Sequence, residues 1–352
     1  MASPQLLRFA LGAMRASGLA AIARPFLHGR GVIFCLHHVL PGGGLQLGFS
    51  PNSKLECEPE FLHGLIELVR KRGYETLSLA DAVALLQSNP QSPKPFAVFT
   101  LDDGYKDNRE FAQPIFQKLN CPYTIFVVPR IADGTSEIWW RNLEQVIAGS
   151  EKLHVKVAGR ILDLRCATEA EKWLAWQTLY PIFETLDQFQ QRIEIRKLAL
   201  SYAVDVDDYC RTVAMDWSEL REIARDPLCE LGAHTVNHYA VGRMNEKDAR
   251  AALADARQLM AKHLGKAPHF NAYPYGDEPN ATARDFKLAA EVGYEASLTT
   301  RKGVVFAGHS KHLQALPRIM ISGRYQELGL VDTLISGLPT ALANQFRQVN
   351  VS

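Results

Sequence analysis

Apolar residues along this chain fall into short continuous runs separated by longer stretches of helical spacing. Val32-Ile33-Phe34-Cys35-Leu36, residues 97–101, 123–128, 295–299 and 314–321, and the run entering Ala233 each read as a strand buried on both faces. Between them, Phe61, Leu62, Leu65, Ile66, Leu68 and Val69 mark one face of a helix over 58–72 that Gly73 stops. Residues 78–87, 108–119 (through Pro114), 217–224 (capped by Asp216), 245–264 (closed by Gly265) and 280–292 (ahead of Gly293) follow the same period. Strand alternating with helix predicts an α/β fold of parallel strands joined by crossover helices.

Two regions depart from that alternation. In residues 6–26, Leu6, Ala10, Met14 and Leu19 are spaced as on a helix, while Arg8, Arg15 and Arg24 interrupt the run, so neither a signal peptide nor a bilayer span is expected. The expectation is an amphipathic helix over 1–28 packed on the main domain, with peripheral contact to a membrane surface as the alternative. Residues 149–214 turn charged, with Trp173, Trp176, Leu179, Ile182, Phe183 and Leu186 at helical intervals, and read as a mostly helical insertion. The main domain then spans 29–323, and a helical tail 324–352.

With 352 residues, 47% of them hydrophobic, the chain can bury a large core. A net charge of +1 calls for no nucleic acid and no strongly anionic partner. The six cysteines show no close-spaced pair, and read as reduced, buried thiols, which fits a cytoplasmic place.

Chemistry concentrates where predicted strands end. The strand over 97–101 runs into Asp102-Asp103-Gly104, and alternation along a strand should aim the two carboxylates in different directions, one to hold a metal and the other to take a proton. The Ala233 strand runs into His234-Thr-Val-Asn-His238, two imidazoles four residues apart. Either pair alone is weak. Together, at the C-terminal strand ends where α/β folds build sites, they supply one carboxylate and two imidazoles with open positions left over. His37 follows the first strand and reads equally as a site residue or a turn histidine. Trp139-Trp140 reads as a loop pair, able to stack on sugars or to anchor a core.

These segments resemble the motifs of the polysaccharide deacetylases (carbohydrate esterase family 4): Thr100-Leu-Asp-Asp-Gly104 the first, His234-Thr-Val-Asn-His238 the second, and Phe270-Asn-Ala-Tyr-Pro-Tyr-Gly276 the third. The resemblance implies a distorted (β/α) barrel of about seven strands and hydrolysis of an N-acetyl group on an N-acetylhexosamine unit of a polysaccharide, oligosaccharide or glycolipid precursor. It implies a divalent metal on Asp103, His234 and His238, zinc first and cobalt, nickel or manganese after it. Asp102 would be the general base and the Tyr275 backbone N–H an oxyanion donor. Tyr273, Pro274 and Trp139 would meet the carbohydrate.

Two positions depart from the family pattern. Ala272 stands where many members have an arginine paired to the base, and Leu316-Pro317-Arg318 replaces a Leu-x-His that supplies the general acid. The joint loss and gain suggest that Arg318 pairs with Asp102; His37 is a candidate for the missing acid, and Asp102 returning its own proton is the other. Three readings follow: the sugar N-deacetylase; a deformylase or other C–N hydrolase on the same metal site; and a silent carbohydrate-binding barrel, which the two departures would favour.

Overall fold

The structure, a computed structural model, describes residues 4–44, 48–89 and 94–351. Seven strands, β1 (Gly31–Leu36), β2 (Phe96–Asp103), β3 (Tyr123–Val127), β4 (Cys229–Ala233), β5 (Phe270–Ala272), β6 (Ala296–Lys302) and β7 (Leu316–Met320), lie parallel in the spatial order β1-β7-β6-β5-β4-β3-β2. β2 pairs back onto β1 over six residues, from Gly31 opposite Phe96 to Leu36 opposite Leu101, and this closes the barrel. All seven C-terminal ends therefore open on one rim, where the motifs lie.

Period-two alternation sorts the side chains. Ile33, Phe96, Val98, Phe126, Phe270, Ala272, Ala296, Leu298 and Leu316 fill the barrel with Leu79, Ala82, Val83 and Leu86 of the helix Leu79–Ser88. Val32, Phe34, Leu36, Ala97, Phe99, Leu101, Tyr123 and Ile125 face outward into a core shared with the surrounding helices. The interior leaves no room to spare at Gly232, where a Cβ would strike the Phe126 ring.

Three elements differ from the sequence expectation. The N-terminal segment forms two helices, Pro4–Ala16 and Leu19–Leu27, because Gly18 takes a left-handed φ of 75° between them. The charged segment opens with an antiparallel hairpin, Lys152–Val157 against Arg160–Arg165, turning through Ala158 and Gly159, both at positive φ. Helices Glu169–Thr185, Gln188–Ser201 and Val206–Val213 follow and share a second core with Trp139, Trp140, Leu153 and Val155. Trp139 and Trp140 begin the helix Trp139–Ala148 and lie in no loop; both are buried.

Candidate active site

The first motif rides out of the barrel on β2, fully buried to its last residue. Alternation would send Asp102 and Asp103 to opposite faces, but Asp103 has a φ of 76°, and this left-handed turn brings both carboxylates to the rim. Asp103 Oδ1 lies 3.6 Å from His234 Nε2 and 3.4 Å from His238 Nε2, and Asp102 Oδ2 lies 3.9 Å from His234 Nε2. His234 follows β4 directly, and its Nδ1 lies 2.6 Å from the Ala272 carbonyl oxygen. That contact requires Nδ1–H, so Nε2 presents its lone pair to Asp103. His238 reaches the same point because Thr235 and His238 both adopt left-handed φ, 56° and 57°.

The three donors converge within 4.8 Å, and no hydrogen bond to Asp103 joins them. Both Asp103 carboxylate oxygens are buried without a hydrogen-bond partner. Burial, and then the neighbouring Asp102 charge, push the Asp103 carboxyl up to about 7, as expected for a buried anion that lacks a counter-cation. Burial lowers both histidines, His238 most, so both are neutral imidazoles. A neutral imidazole pair, an unpartnered buried carboxylate and mutual spacing of this kind fit a divalent cation.

Arg318, on β7, lies inside the barrel, 1% exposed. Its Nη1 donates to Asp102 Oδ1 at 2.7 Å and its Nη2 to Asp102 Oδ2 at 2.8 Å, a two-pronged clasp. Nε donates to the Thr299 carbonyl at 3.0 Å and Nη1 also to Thr100 Oγ1 at 3.2 Å. Burial alone would raise the Asp102 carboxyl, but the Arg318 charge overrides it and holds the group well below the usual carboxylate range. Ala272 supplies only its carbonyl to this site. The cation that the third motif lacks thus comes from two strands away in space.

The structure separates the remaining candidates. His37 is half-buried beside Cys35 and Asp102, its Nδ1 unpartnered, and burial holds its ring down to about 4. Tyr275 belongs to the rim: its φ is 62°, its ring lies 5.0 Å from that of His238, and its backbone N–H makes no hydrogen bond among the described residues. Tyr273 is corrected to a core residue. Strand alternation turns it outward, its hydroxyl donates to the Gln314 carbonyl at 3.1 Å and its ring packs on Phe286. Pro274 is buried and its carbonyl accepts from Gly276 N at 2.7 Å, which shapes the turn that presents Tyr275. Trp139 is 1% exposed and offers no face to a sugar; its indole N–H donates to the Tyr275 hydroxyl at 3.0 Å.

The structure adds four contributors to the surroundings of the site. Cys35 directs its thiol to Asp102 Oδ2 at 3.5 Å. Thr100 Oγ1 accepts from Arg318 and donates to the Phe34 carbonyl at 2.7 Å. Both were legible from alternation, since each stands two residues along from an inward-facing neighbour. Trp140 packs 5.0 Å from the His238 ring, and Arg192, from the insertion, donates to the Asn237 carbonyl at 3.4 Å. The paired tryptophans stand out in the sequence, whereas nothing local marks Arg192.

A polysaccharide deacetylase family profile matches residues 190–297, which hold the second and third motifs. The chain is 28% identical over 290 residues, 82% of its length and 71% of the relative's, to the Bacillus subtilis (strain 168) protein YxkH, which carries the name polysaccharide deacetylase. Among solved structures, the fold resembles the Streptococcus pyogenes deacetylase PplD in complex with acetate (TM-score 0.55, 18% identity, 86% of this chain and 97% of that one). It also resembles IcaB from Ammonifex degensii (TM-score 0.53, 17% identity, 88% and 97%).

Proposed function

We propose that this chain, which matches a polysaccharide deacetylase profile over residues 190–297, hydrolyses the N-acetyl group of an N-acetylhexosamine unit in a polysaccharide, oligosaccharide or glycolipid precursor, with zinc as its metal. One observation carries the reading. A cation site made by Asp103, His234 and His238 shares a buried rim with Asp102, whose carboxylate Arg318 clasps through both oxygens.

Hydrolysis of an amide needs a deprotonated water, relief of charge on the acyl oxygen, and a proton for the leaving amine. A divalent ion held by the three ligands would supply Lewis-acid polarisation and make water a nucleophile near neutral pH. Asp102, beside the ligands, takes the proton as water attacks the acyl carbon. Arg318 fixes that carboxylate in place and keeps it ionised beforehand. The Tyr275 N–H donates to the acyl oxygen as its negative charge develops, a contribution typically worth about 10²–10³-fold in rate. As the C–N bond breaks, the amine leaves with a proton and acetate remains. The proton that Asp102 takes from water can be returned to the departing amine, so Asp102 can serve as both base and acid. His37 is the alternative donor, and His37→Ala decides between them: full kcat assigns both transfers to Asp102, whereas a loss of about 10²-fold or more assigns the second to His37.

Comparing acetate release from N-acetylhexosamine oligosaccharides with formate release from their N-formyl counterparts tests the acyl group. Acetate at a higher kcat/KM supports the deacetylase reading, and formate preference would move the protein to the deformylases. The silent-barrel reading drew on the changes at Ala272 and Arg318, and the clasp on Asp102 removes that motive for it.

For the place of action we propose the inner face of a membrane. Large apolar side chains on the two N-terminal helices stand in solvent, with Phe9 75%, Ile22 69% and Phe26 79% exposed, and no Asp or Glu precedes Glu56. Among the described residues no helix is long and apolar enough to cross a membrane. The exposed apolar ridge with only arginines for charge suits an anionic lipid surface. Co-sedimentation with phosphatidylglycerol vesicles that Phe9→Ser together with Phe26→Ser abolishes would support this; equal recovery with neutral phosphatidylcholine vesicles, or none with either, would overturn it.

A further inference from the structure

The insertion brings no chemistry of its own to the rim, yet it touches both loops that the site depends on. Gln188, at the start of the helix Gln188–Ser201, bonds the backbone of Ala240 on both sides. Its Nε2 donates to the Ala240 carbonyl at 3.1 Å and its Oε1 accepts from the Ala240 N–H at 2.6 Å. One turn on, Arg192 donates to the carbonyls of Glu137 at 2.5 Å and Asn237 at 3.4 Å, with its guanidinium 5.4 Å from the Tyr239 ring. From the other side, Arg243 donates to the carbonyls of Glu184 at 3.0 Å and Leu186 at 2.5 Å. Residues 237–243, which leave the ligand His238, are thus held at three points by residues 184–192.

The third-motif loop is reached through a stack of rings. Trp176 lies 4.9 Å from Tyr180, Tyr180 5.0 Å from Trp139, and the Trp139 indole donates to the Tyr275 hydroxyl at 3.0 Å. Thr300 Oγ1 donates to the Tyr275 carbonyl and holds the same residue from the barrel side. The loops need such support. Thr235, His238 and Tyr275 all take left-handed φ, strained conformations that persist only when their surroundings over-determine them.

We propose that the insertion is a clamp: Gln188 and Arg192 set His238 for the metal, and Trp176 and Tyr180, acting through Trp139, set the Tyr275 N–H for the acyl oxygen. These are positioning residues, and the two arms have different readouts. Substituting partners that orient a metal ligand typically lowers affinity about 10–100-fold. Misplacing an oxyanion donor lowers kcat with little change in KM.

The metal arm is tested on purified apoprotein by zinc competition against a chromophoric chelator, comparing Gln188→Met with Gln191→Met. Gln191 makes a similar buried bond, Nε2 to the Phe183 carbonyl at 2.7 Å, entirely within the insertion, so it controls for loss of packing. The clamp predicts zinc affinity about 10-fold or more weaker in Gln188→Met and within twofold of the parent in Gln191→Met, even where both lower Tm alike. Equal affinities in the two variants would overturn it. The second arm rests on the deacetylase reading: Trp139→Phe and Tyr275→Phe should each lower kcat with KM and zinc affinity unchanged, and the double variant should be no worse than either single one. Additive losses would contradict the Trp139–Tyr275 link. Because the zinc measurement needs no substrate, failure of the proposed reaction and failure of the clamp are told apart.

Discussion

At the scale of single residues, the Arg318–Asp102 pair decides most. Two charges buried in a barrel interior are tolerable because each satisfies the other, and removing one leaves the other uncompensated, at a typical cost of about 3–5 kcal/mol. Arg318→Ala should therefore lose both stability, read by chemical denaturation, and most of kcat. Arg318→Lys should recover part of the stability but not the rate, because an ammonium cannot clasp both carboxylate oxygens. The pairing could be suspected from the sequence because one arginine was missing where another had appeared; its two-pronged geometry could not. A half-buried acid gives a pH signature away from the site. Glu230, inside the barrel on β4, is pushed up to about 7 by burial, and its Oε2 has no partner. Its folded value exceeds the unfolded one, so its share of stability is whole below the unfolded carboxyl range and lost as pH rises through 7. Glu230→Gln should raise Tm by a few degrees at pH 8.5 and leave it nearly unchanged at pH 4.5, as measured by calorimetry.

At the scale of elements, strand runs and helix periods were readable because burial on both faces and one-sided burial leave distinct patterns. The rim loops were not. Asp103, Thr235, His238 and Tyr275 all reach the site through positive φ, which hydrophobic pattern does not encode, and no glycine stands at these positions to announce it. Alternation therefore misdirected Asp103, and the motif resemblance assigned Tyr273 to the carbohydrate although strand alternation buries it in the core. The hairpin in the insertion had a legible signal, Leu153, Val155 and Val157 alternating with Lys152, His154 and Lys156 before Ala158-Gly159, but the tryptophan-rich helical period after it set the reading of the whole segment. Where strands pack most tightly the barrel should be least tolerant. Gly232→Ala, driving a methyl group into the Phe126 ring, should cost about 1–3 kcal/mol in denaturant midpoint measurements while leaving the ligands themselves in place.

At the scale of the whole molecule, the barrel gathers ligands from residues 103, 234 and 238 and their charge partner from 318, so the site exists only in the folded chain. An ion that binds the native state alone stabilises it by mass action, about 2.7 kcal/mol at a hundredfold excess over Kd. Chelation should accordingly lower Tm in the parent and leave Asp103→Ala indifferent. The helix Leu19–Leu27 is tied to the helix Leu328–Leu334 and to the barrel's helices, with Arg24 and Arg72 both on Asp332, so the N-terminal helices present their apolar ridge from a fixed base. The most direct test of the central claim measures bound metal and single-turnover acetate release together, on an N-acetylhexosamine oligosaccharide, for the parent, Asp102→Asn and Asp103→Ala. The account predicts metal and acetate in the parent, metal without appreciable acetate in Asp102→Asn, and neither in Asp103→Ala. An Asp102→Asn protein that releases acetate at the parental rate, or a metal-loaded parent that releases none, would contradict it.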